Sequence, residues 1–296
     1  MVKKKIIFRN VGLYSSLKNK DITKIANQIY EILNNLGVNV YVPNNLKLKN
    51  LEKEIKSIST TKIINNCDLI IAIGGDGTLI SSARLFGYKG LPILGVNLGS
   101  LGFLTDIPPE NLTTSLIEII KGEFSEDQRF FLESSVNKSK KKYIALNEVV
   151  IHSGQIAQMF EYELFLNDIF VYRQKADGII VSTPTGSTAY SLSGNGPIIH
   201  PDVETINLLP MFPHSLNARP LIVNRESEIK IIIKSSNKNN TKLSMDSHNS
   251  VNLKQGDEIK INKSFPMLRL IHPKEHNFYE TSRNKLGWSL GLSTTK

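Results

Sequence analysis

The sequence predicts an α/β domain followed by an antiparallel, β-rich domain. Two patterns carry that expectation. Up to about residue 121, short apolar runs alternate with stretches whose apolar residues recur at helical spacing, which argues for a parallel sheet covered on both faces. From about residue 130 the period falls to two, with turn signals between the runs. We place domains at 1–140 and 141–272, with 273–296 as a closing segment. The length of 296 residues agrees with roughly two domains.

Each element has its own signal. Residues 4–10 open with a strand. Residues 21–36 form a helix: Asp21 caps it, Ile22, Ile25, Ile29, Ile32 and Leu33 share a face, and Gly37 stops it. Val38 to Val42 is a strand ending at Pro43, and residues 44–62 are polar. Cys67 to Ile73 is a buried strand, and a helix runs from Thr78 to Phe86 with Thr78 as its N-cap. Pro92 to Asn97 is the next strand; residues 110–121 are the next helix, with Leu112, Leu116, Ile117 and Ile120 on one side. Further on, Tyr162, Leu164 and Leu166 alternate with Glu161, Glu163 and Phe165. Ile229, Ile231 and Ile233 alternate with Lys230, Ile232 and Lys234, and Ile259 and Ile261 with Lys260 and Asn262. These runs predict antiparallel strands in a sandwich or a related arrangement. Residues 274–290 read as a helix docking on one of the domains.

Composition narrows the function classes. Hydrophobic content of 40% and charge of 21% describe an ordinary globular protein. No apolar run reaches the roughly 18 residues of a membrane helix, and the basic start is followed by an apolar run too short for a signal peptide. The single cysteine, Cys67, precludes an internal disulfide, and a cytoplasmic location is the expectation. The net charge of +9 comes from 36 basic and 27 acidic residues, but the lysines are scattered. The compact cluster of Lys138, Lys140, Lys141 and Lys142 reads as a solvated loop, so nucleic acid is not an expected partner.

The stretch Gly74-Gly75-Asp76-Gly77-Thr78 sits on a strand-to-helix turn. Its glycines admit positive φ and close approach of a ligand, and the free N–H groups of a helix start attract phosphate. It is not a P-loop, because no lysine follows the glycines. Asp76 would repel a phosphate, so it needs its own role: accepting a proton from an attacking hydroxyl, or helping to hold Mg²⁺ beside the phosphates. A second glycine loop, residues 98–104, also follows a strand, and both loops belong at carboxyl ends, where ligands bind in such sheets.

Three stretches of the second part carry polar groups suited to a nucleotide. Asn147 and Glu148 precede an apolar strand, where at a strand entrance both could reach the hydroxyls of a ribose. Lys175 and Asp177 lead into a long run, Ser182 to Pro197, rich in hydroxyl and glycine residues. Its stretch Thr188, Ala189, Tyr190, Ser191, Leu192 and Ser193 suits the start of a short helix. Met211 to Pro220 is a stiff basic segment with His214 and Arg219, and His214 is a candidate by residue type alone. No His/Cys group has zinc-ligand spacing.

Taken together, these residues resemble the NAD kinase family. The resemblance rests on six motifs in order: GGDGT at 74–78, NLGSLGFL at 97–104, NE at 147–148, DGIIVSTPTGSTAYSLSGNGPI at 177–198, PHSLNARP at 213–220 and KLGW at 285–288. GGDGT alone is shared with diacylglycerol and sphingosine kinases, and phosphofructokinases carry a similar loop. A lipid or sugar kinase, or a non-catalytic NAD(P)-binding sensor, is therefore the alternative. The resemblance implies a Rossmann-like α/β domain, a β-rich domain, and a C-terminal segment that returns to the first. It implies transfer of the γ-phosphoryl of ATP to the 2′-hydroxyl of the adenosine ribose of NAD, giving NADP, with Mg²⁺ carried by ATP rather than by fixed protein ligands. By it, Asp76 is the general base, and Gly74, Gly75, Gly77 and Thr78 form the phosphate-side loop. Asp76, Gly77, Asn147, Glu148, Lys175, Asp177, the stretch 188–193 and, more weakly, His248 bind NAD. The family also implies a homo-oligomer, a dimer or tetramer. Two positions depart from its pattern. Lys175 stands where arginine is frequent and lacks the bidentate fork. Asp246-Ser247-His248 stands where the third residue is often glutamine.

Overall fold

The computed structural model describes residues 6–17, 20–43, 56–99, 102–154, 158–235 and 241–288. The chain divides into two compact units, residues 1–128 with 267–296, and residues 129–266.

The first unit begins β1 (Asn10–Tyr14), α1 (Lys20–Asn35), β2 (Asn39–Pro43), β3 (Lys56–Ile58), α2 (Thr60–Asn66), β4 (Leu69–Ile73), α3 (Asp76–Leu85), β5 (Ile93–Val96) and α4 (Leu112–Ile120). Its strands are parallel: β5 pairs with β4, β4 with β1, β1 with β2, and β2 with β3. The apolar face of α1 (Ile22, Ile25, Ala26, Ile29 and Leu33) and that of α4 (Leu112, Leu116, Ile119 and Ile120) enter one core with Leu13, Ile71 and Leu94. Each such fully buried aliphatic side chain contributes roughly 1.5–3 kcal/mol. Gly37, at φ +74°, ends α1 as its sequence position requires.

The chain continues through β6 (Phe124–Val136), β7 (Tyr143–Ala145), β8 (Glu148–His152), β9 (Phe160–Leu166), β10 (Ile169–Ala176), β11 (Gly178–Ser182), α5 (Tyr190–Ser193), β12 (Thr205–Met211), β13 (Leu221–Asn224), β14 (Ile229–Ser235), β15 (Lys242–Met245), β16 (Asn249–Asn252), β17 (Glu258–Pro273) and α6 (Phe278–Leu286). In the second unit β9 pairs antiparallel with β10 and β14, β14 with β17, and the strands of the six-stranded sheet with one another. One sheet runs β13-β12-β11-β8-β15-β16; the other joins β10, β9, β14 and the first half of β17. The expected alternation holds: Tyr162, Leu164, Ile229, Ile231, Ile233, Ile259 and Ile261 are fully buried. The last half of β17 returns to the first unit, where Leu270 and Ile271 pair in parallel with β5. Asn277 then caps α6, accepting from the N–H groups of Tyr279 and Glu280 at 2.9 and 3.2 Å.

Three expectations shift. Of the expected strand 4–10, residues 4 and 5 lie outside the described residues and 6–9 precede the strand, which is Asn10–Tyr14; Gly12 lets β1 lie close to Ile70 of β4, where a Cβ would come within 2.7 Å. The polar stretch 44–62 contains the start of α2, capped by Ser59, whose hydroxyl accepts from Lys62 N–H at 3.4 Å; residues 44–55 lie outside the described residues. Finally, α3 begins at Asp76 with Gly75 as its N-cap, so Thr78 is one turn inside the helix. The Thr78 hydroxyl is occupied instead by Ser16 Oγ, 2.8 Å away.

Candidate active site

Asp76 opens α3 at the carboxyl end of β4, and the loop 97–105 follows the neighbouring strand β5. Parallel pairing of those strands brings the two glycine loops together. Gly74 is held in the left-handed region at φ +149° and donates its N–H to Val96 O at 2.9 Å. A Cβ there would lie 2.5 Å from Thr78 Oγ1. At Gly75 and Gly77 a Cβ would meet nothing within 4 Å, so these two positions are open to a ligand.

The carboxylate of Asp76 reaches into the second loop. Its Oδ2 accepts from Phe103 N–H at 2.9 Å, and its Oδ1 from Leu104 N–H at 3.0 Å and from Thr105 Oγ1 at 3.4 Å. Gly102 permits this approach, since a Cβ would sit 2.1 Å from Asp76 Oδ1. Asn97 braces the loop: its Nδ2 donates to Thr105 O at 3.2 Å and its Oδ1 accepts from Gly99 N–H at 2.8 Å. Ser100 and Leu101 lie outside the described residues. Three donors hold the carboxylate, yet each oxygen has two lone pairs. Oδ2, with one protein donor, keeps a lone pair for a substrate hydroxyl. Sequence reasoning gave Asp76 one task and missed this second one. The only available signal was the placement of both glycine loops at strand ends.

In the second unit, Asp246 holds the entrance of β8, accepting from the N–H groups of Leu146 (2.9 Å), Asn147 (2.8 Å) and Glu148 (3.2 Å). The hydroxyl-rich loop packs on the same point: Thr183 donates its Oγ1 hydrogen to Leu146 O at 2.7 Å and its N–H to Asn147 O at 2.9 Å. Asn147 and Glu148 thus stand at a strand entrance, both buried. Asn147 Oδ1 and Glu148 Oε2 have no hydrogen-bond partner. Burial, reinforced by the nearby charge of Asp246, pushes the Glu148 carboxyl up to about 8.

That shift has a signed consequence. The folded protein holds the Glu148 proton up to about pH 8, whereas the unfolded chain releases it near 4.5. Stability therefore falls as pH rises between those values. Glu148→Gln is expected to remove this slope. The variant should have a higher Tm than the parent at pH 8 and an equal one near pH 4.5, as thermal unfolding at the two pH values will show.

A cavity of about 680 Å³ in the second unit brings together Asp177, Tyr190 and His248, and adds His152, Lys242 and Ser244, which sequence reasoning did not single out. Lys175 lies elsewhere, in a second cavity of similar size with Arg173, His214 and Arg219. The run after β11 forms a 3₁₀ turn at Thr185–Thr188 and then the single turn of α5. Within it Thr188 bonds back to Thr185 O at 3.2 Å, and Ser191 is fully buried with its Oγ accepting from Asn207 Nδ2 at 3.1 Å. Ala189 and Leu192 are partly exposed, and Ser193 lines a third cavity with Tyr190.

The first unit also assembles Asp106, His272 and His276, whose donor atoms lie within 4.8 Å of one another. Both imidazoles aim Nδ1 at Asp106 Oδ2, at 2.9 and 2.8 Å, and their rings stack with centroids 4.0 Å apart. Burial alone would raise the Asp106 carboxyl; hydrogen bonds from the two histidines outweigh it and hold it at about 2. This cluster fastens the return segment to the loop that grips Asp76. Sequence spacing could not reveal it, because 166 residues separate Asp106 from His272.

Comparison with known proteins gives a consistent family. Residues 5–124 match the ATP-NAD kinase N-terminal domain and residues 146–272 the ATP-NAD kinase C-terminal domain. The NAD kinase of Shewanella halifaxensis is 41% identical over 288 residues, covering 96% of this chain and 93% of the relative. That of Chromohalobacter salexigens is 42% identical over 288 residues, covering 96% and 98%. Among solved structures, yeast NADH kinase complexed with NADH superposes with a TM-score of 0.87 at 27% identity, covering 97% of this chain and 90% of that one. An NAD kinase from Archaeoglobus fulgidus in complex with ATP gives 0.73 at 26% identity, covering 94% and 97%.

Proposed function

Because the chain belongs to the ATP-NAD kinase family, we propose that it transfers the γ-phosphoryl of ATP to the 2′-hydroxyl of the adenosine ribose of NAD, with Asp76 as general base. The observation that carries the assignment is the Asp76 carboxylate, oriented by the N–H groups of Phe103 and Leu104 beside the open positions Gly75 and Gly77. In the reaction, the 2′-hydroxyl gives its proton to Asp76 as its oxygen bonds to the γ-phosphorus. The bond from that phosphorus to the β-γ bridging oxygen breaks, and ADP leaves. The N–H groups at the start of α3 stabilise the charge on the transferring phosphoryl oxygens. Mg²⁺ enters with ATP as part of the substrate and neutralises phosphate charge. Asn147, Glu148 and the run 177–193 bind NAD and fix its orientation in the second unit, a positioning effect. The unpartnered Asn147 Oδ1 and Glu148 Oε2 suit ribose hydroxyls.

The protein is also proposed to act as a homo-oligomer. β10 is an edge strand whose Ile169, Phe170 and Val171 are exposed, and an apolar edge of this kind favours pairing with another copy. Among the described residues, no helix is long and apolar enough to cross a membrane.

The functional reading is tested by incubating the protein with ATP and Mg²⁺ and, in separate reactions, NAD, diacylglycerol, a sphingoid base or fructose 6-phosphate. Phosphorylation of NAD alone is expected. Turnover of a lipid or sugar with none of NAD would replace the reading by that of a kinase sharing only the loop. Binding of NAD without ATP-dependent conversion would make the protein a sensor.

A further inference from the structure

We propose that Lys242, Ser244 and His152 form a phosphate subsite within the cavity lined by Asp177, Tyr190 and His248, and that it takes the pyrophosphate of the dinucleotide. The identity of that ligand rests on the functional reading above; the subsite itself rests on the sheet.

β8 and β15 are antiparallel neighbours, with Lys242 opposite His152 and Ser244 opposite Val150. Side chains alternate across the two strands. Val149, Ile151, Leu243 and Met245 are fully buried on one face, while Val150, His152, Lys242 and Ser244 line the cavity on the other. Directly opposed residues such as Lys242 and His152 have Cβ atoms about 4.5–5.5 Å apart and diagonal neighbours such as Ser244 and His152 about 7–8 Å, so the three polar side chains can converge on one small anion.

Lys242 stands opposite His152, so no acid faces its ammonium from the directly opposed position. Elsewhere on these sheets several lysines are answered by acids: Lys230 by Asp168, Lys260 by Glu228, Lys263 by Glu226. Among the described residues Lys242 makes no ion pair. The acid lining this cavity is Asp177, for which ribose hydroxyls are a suitable partner and a phosphate is not.

The donors are complementary. His152 Nδ1 accepts from Gly154 N–H at 3.2 Å, which assigns the ring hydrogen to Nε2. Burial first, and then the Lys242 charge, push the His152 pKa below its ordinary value, so the ring serves as a neutral donor at neutral pH. Lys242 supplies the charge, Ser244 a hydroxyl and His152 an N–H. His248 is arranged differently: its Nδ1 lies 2.7 Å from Asp246 O, which leaves Nε2 as an acceptor in the neutral ring.

Lys242→Gln separates this subsite from the rest of the machinery. Loss of one charge-assisted contact is expected to raise KM for NAD about tenfold with little change in kcat, and to weaken ADP-ribose binding to a similar degree. Binding of adenosine, which has no phosphate, and KM for ATP should be unchanged. Lys242→Arg, which keeps the charge, should restore most of the NAD affinity and checks that the position tolerates replacement. Equal NAD affinity in the parent and in Lys242→Gln would overturn the subsite while leaving the kinase reading intact. So would an equal loss for adenosine, or a loss confined to ATP. If the parent forms no NADP, the kinase reading fails, and ADP-ribose binding to the two proteins still decides the subsite.

Discussion

Asp76→Asn is expected to lower kcat for NAD phosphorylation by about 10²- to 10⁴-fold, the usual worth of a general base, with NAD affinity changed by no more than a few-fold. The substitution keeps the side-chain volume and removes the proton acceptor. It also changes the grip on the second loop. The carboxylate receives the Phe103 and Leu104 N–H groups on different oxygens, whereas an asparagine offers one oxygen and sets its NH₂ against the other donor. An unsatisfied donor of this kind costs roughly 1–3 kcal/mol. A Tm lower by several degrees should therefore accompany the loss in turnover. The two effects are separable, because NAD binding measured by calorimetry reports whether the site is still assembled.

Gly186→Ala should damage the second unit more than any other single methyl group added to the hydroxyl-rich run. A Cβ at residue 186 would lie 2.1 Å from the carbonyl oxygen of Asn147 and 2.5 Å from its carbon. Those atoms are backbone and cannot rotate away. Either the entrance of β8 moves, disturbing Asn147 and Glu148, or the loop withdraws and breaks the Thr183 bonds to Leu146 O and Asn147 O. Overpacking of this type costs typically about 1–3 kcal/mol, and each route also displaces proposed NAD-binding groups. The expected result is a lower Tm together with more than tenfold weaker NAD binding. Gly77→Ala is the stability control, since a Cβ there meets nothing within 4 Å and Gly77 already lies in α3. Its Tm should stay within a degree or two of the parent value.

What could be read from the chain was whatever repeats locally. The apolar period of α1, the continuous run of β4 and the alternation in β9, β14 and β17 each follow from the side-chain geometry of one element. GGDGT was legible as a strand-to-helix turn for the same reason. The misplaced details concern residues whose surroundings are distant in sequence. Thr78 has the chemistry of a cap, but Gly75 takes that position and Ser16, 62 residues away, takes the hydroxyl. Gly12 lies within β1, where Ile70, 58 residues on, leaves no room for a Cβ. Asp246 reads as part of an Asp-Ser-His variation on a family motif. Its carboxylate in fact organises the β8 entrance from about 100 residues away, through three N–H groups. The histidines that clasp Asp106 are four residues apart, but the acid they meet lies 166 residues before His272 and no local pattern points to it. Lys242 and His152 become a pair only through the register of β8 against β15, which no local pattern encodes.

The most direct test of the account is the single-turnover rate of NADP formation by the parent protein and by Asp76→Asn, each preloaded with saturating NAD and mixed with ATP and Mg²⁺. This rate isolates phosphoryl transfer from binding and product release. The account predicts NADP carrying a 2′-phosphate from the parent, and a rate at least about 100-fold lower from the variant at undiminished NAD occupancy. A near-normal rate in the variant, or no NADP from the parent, would contradict it.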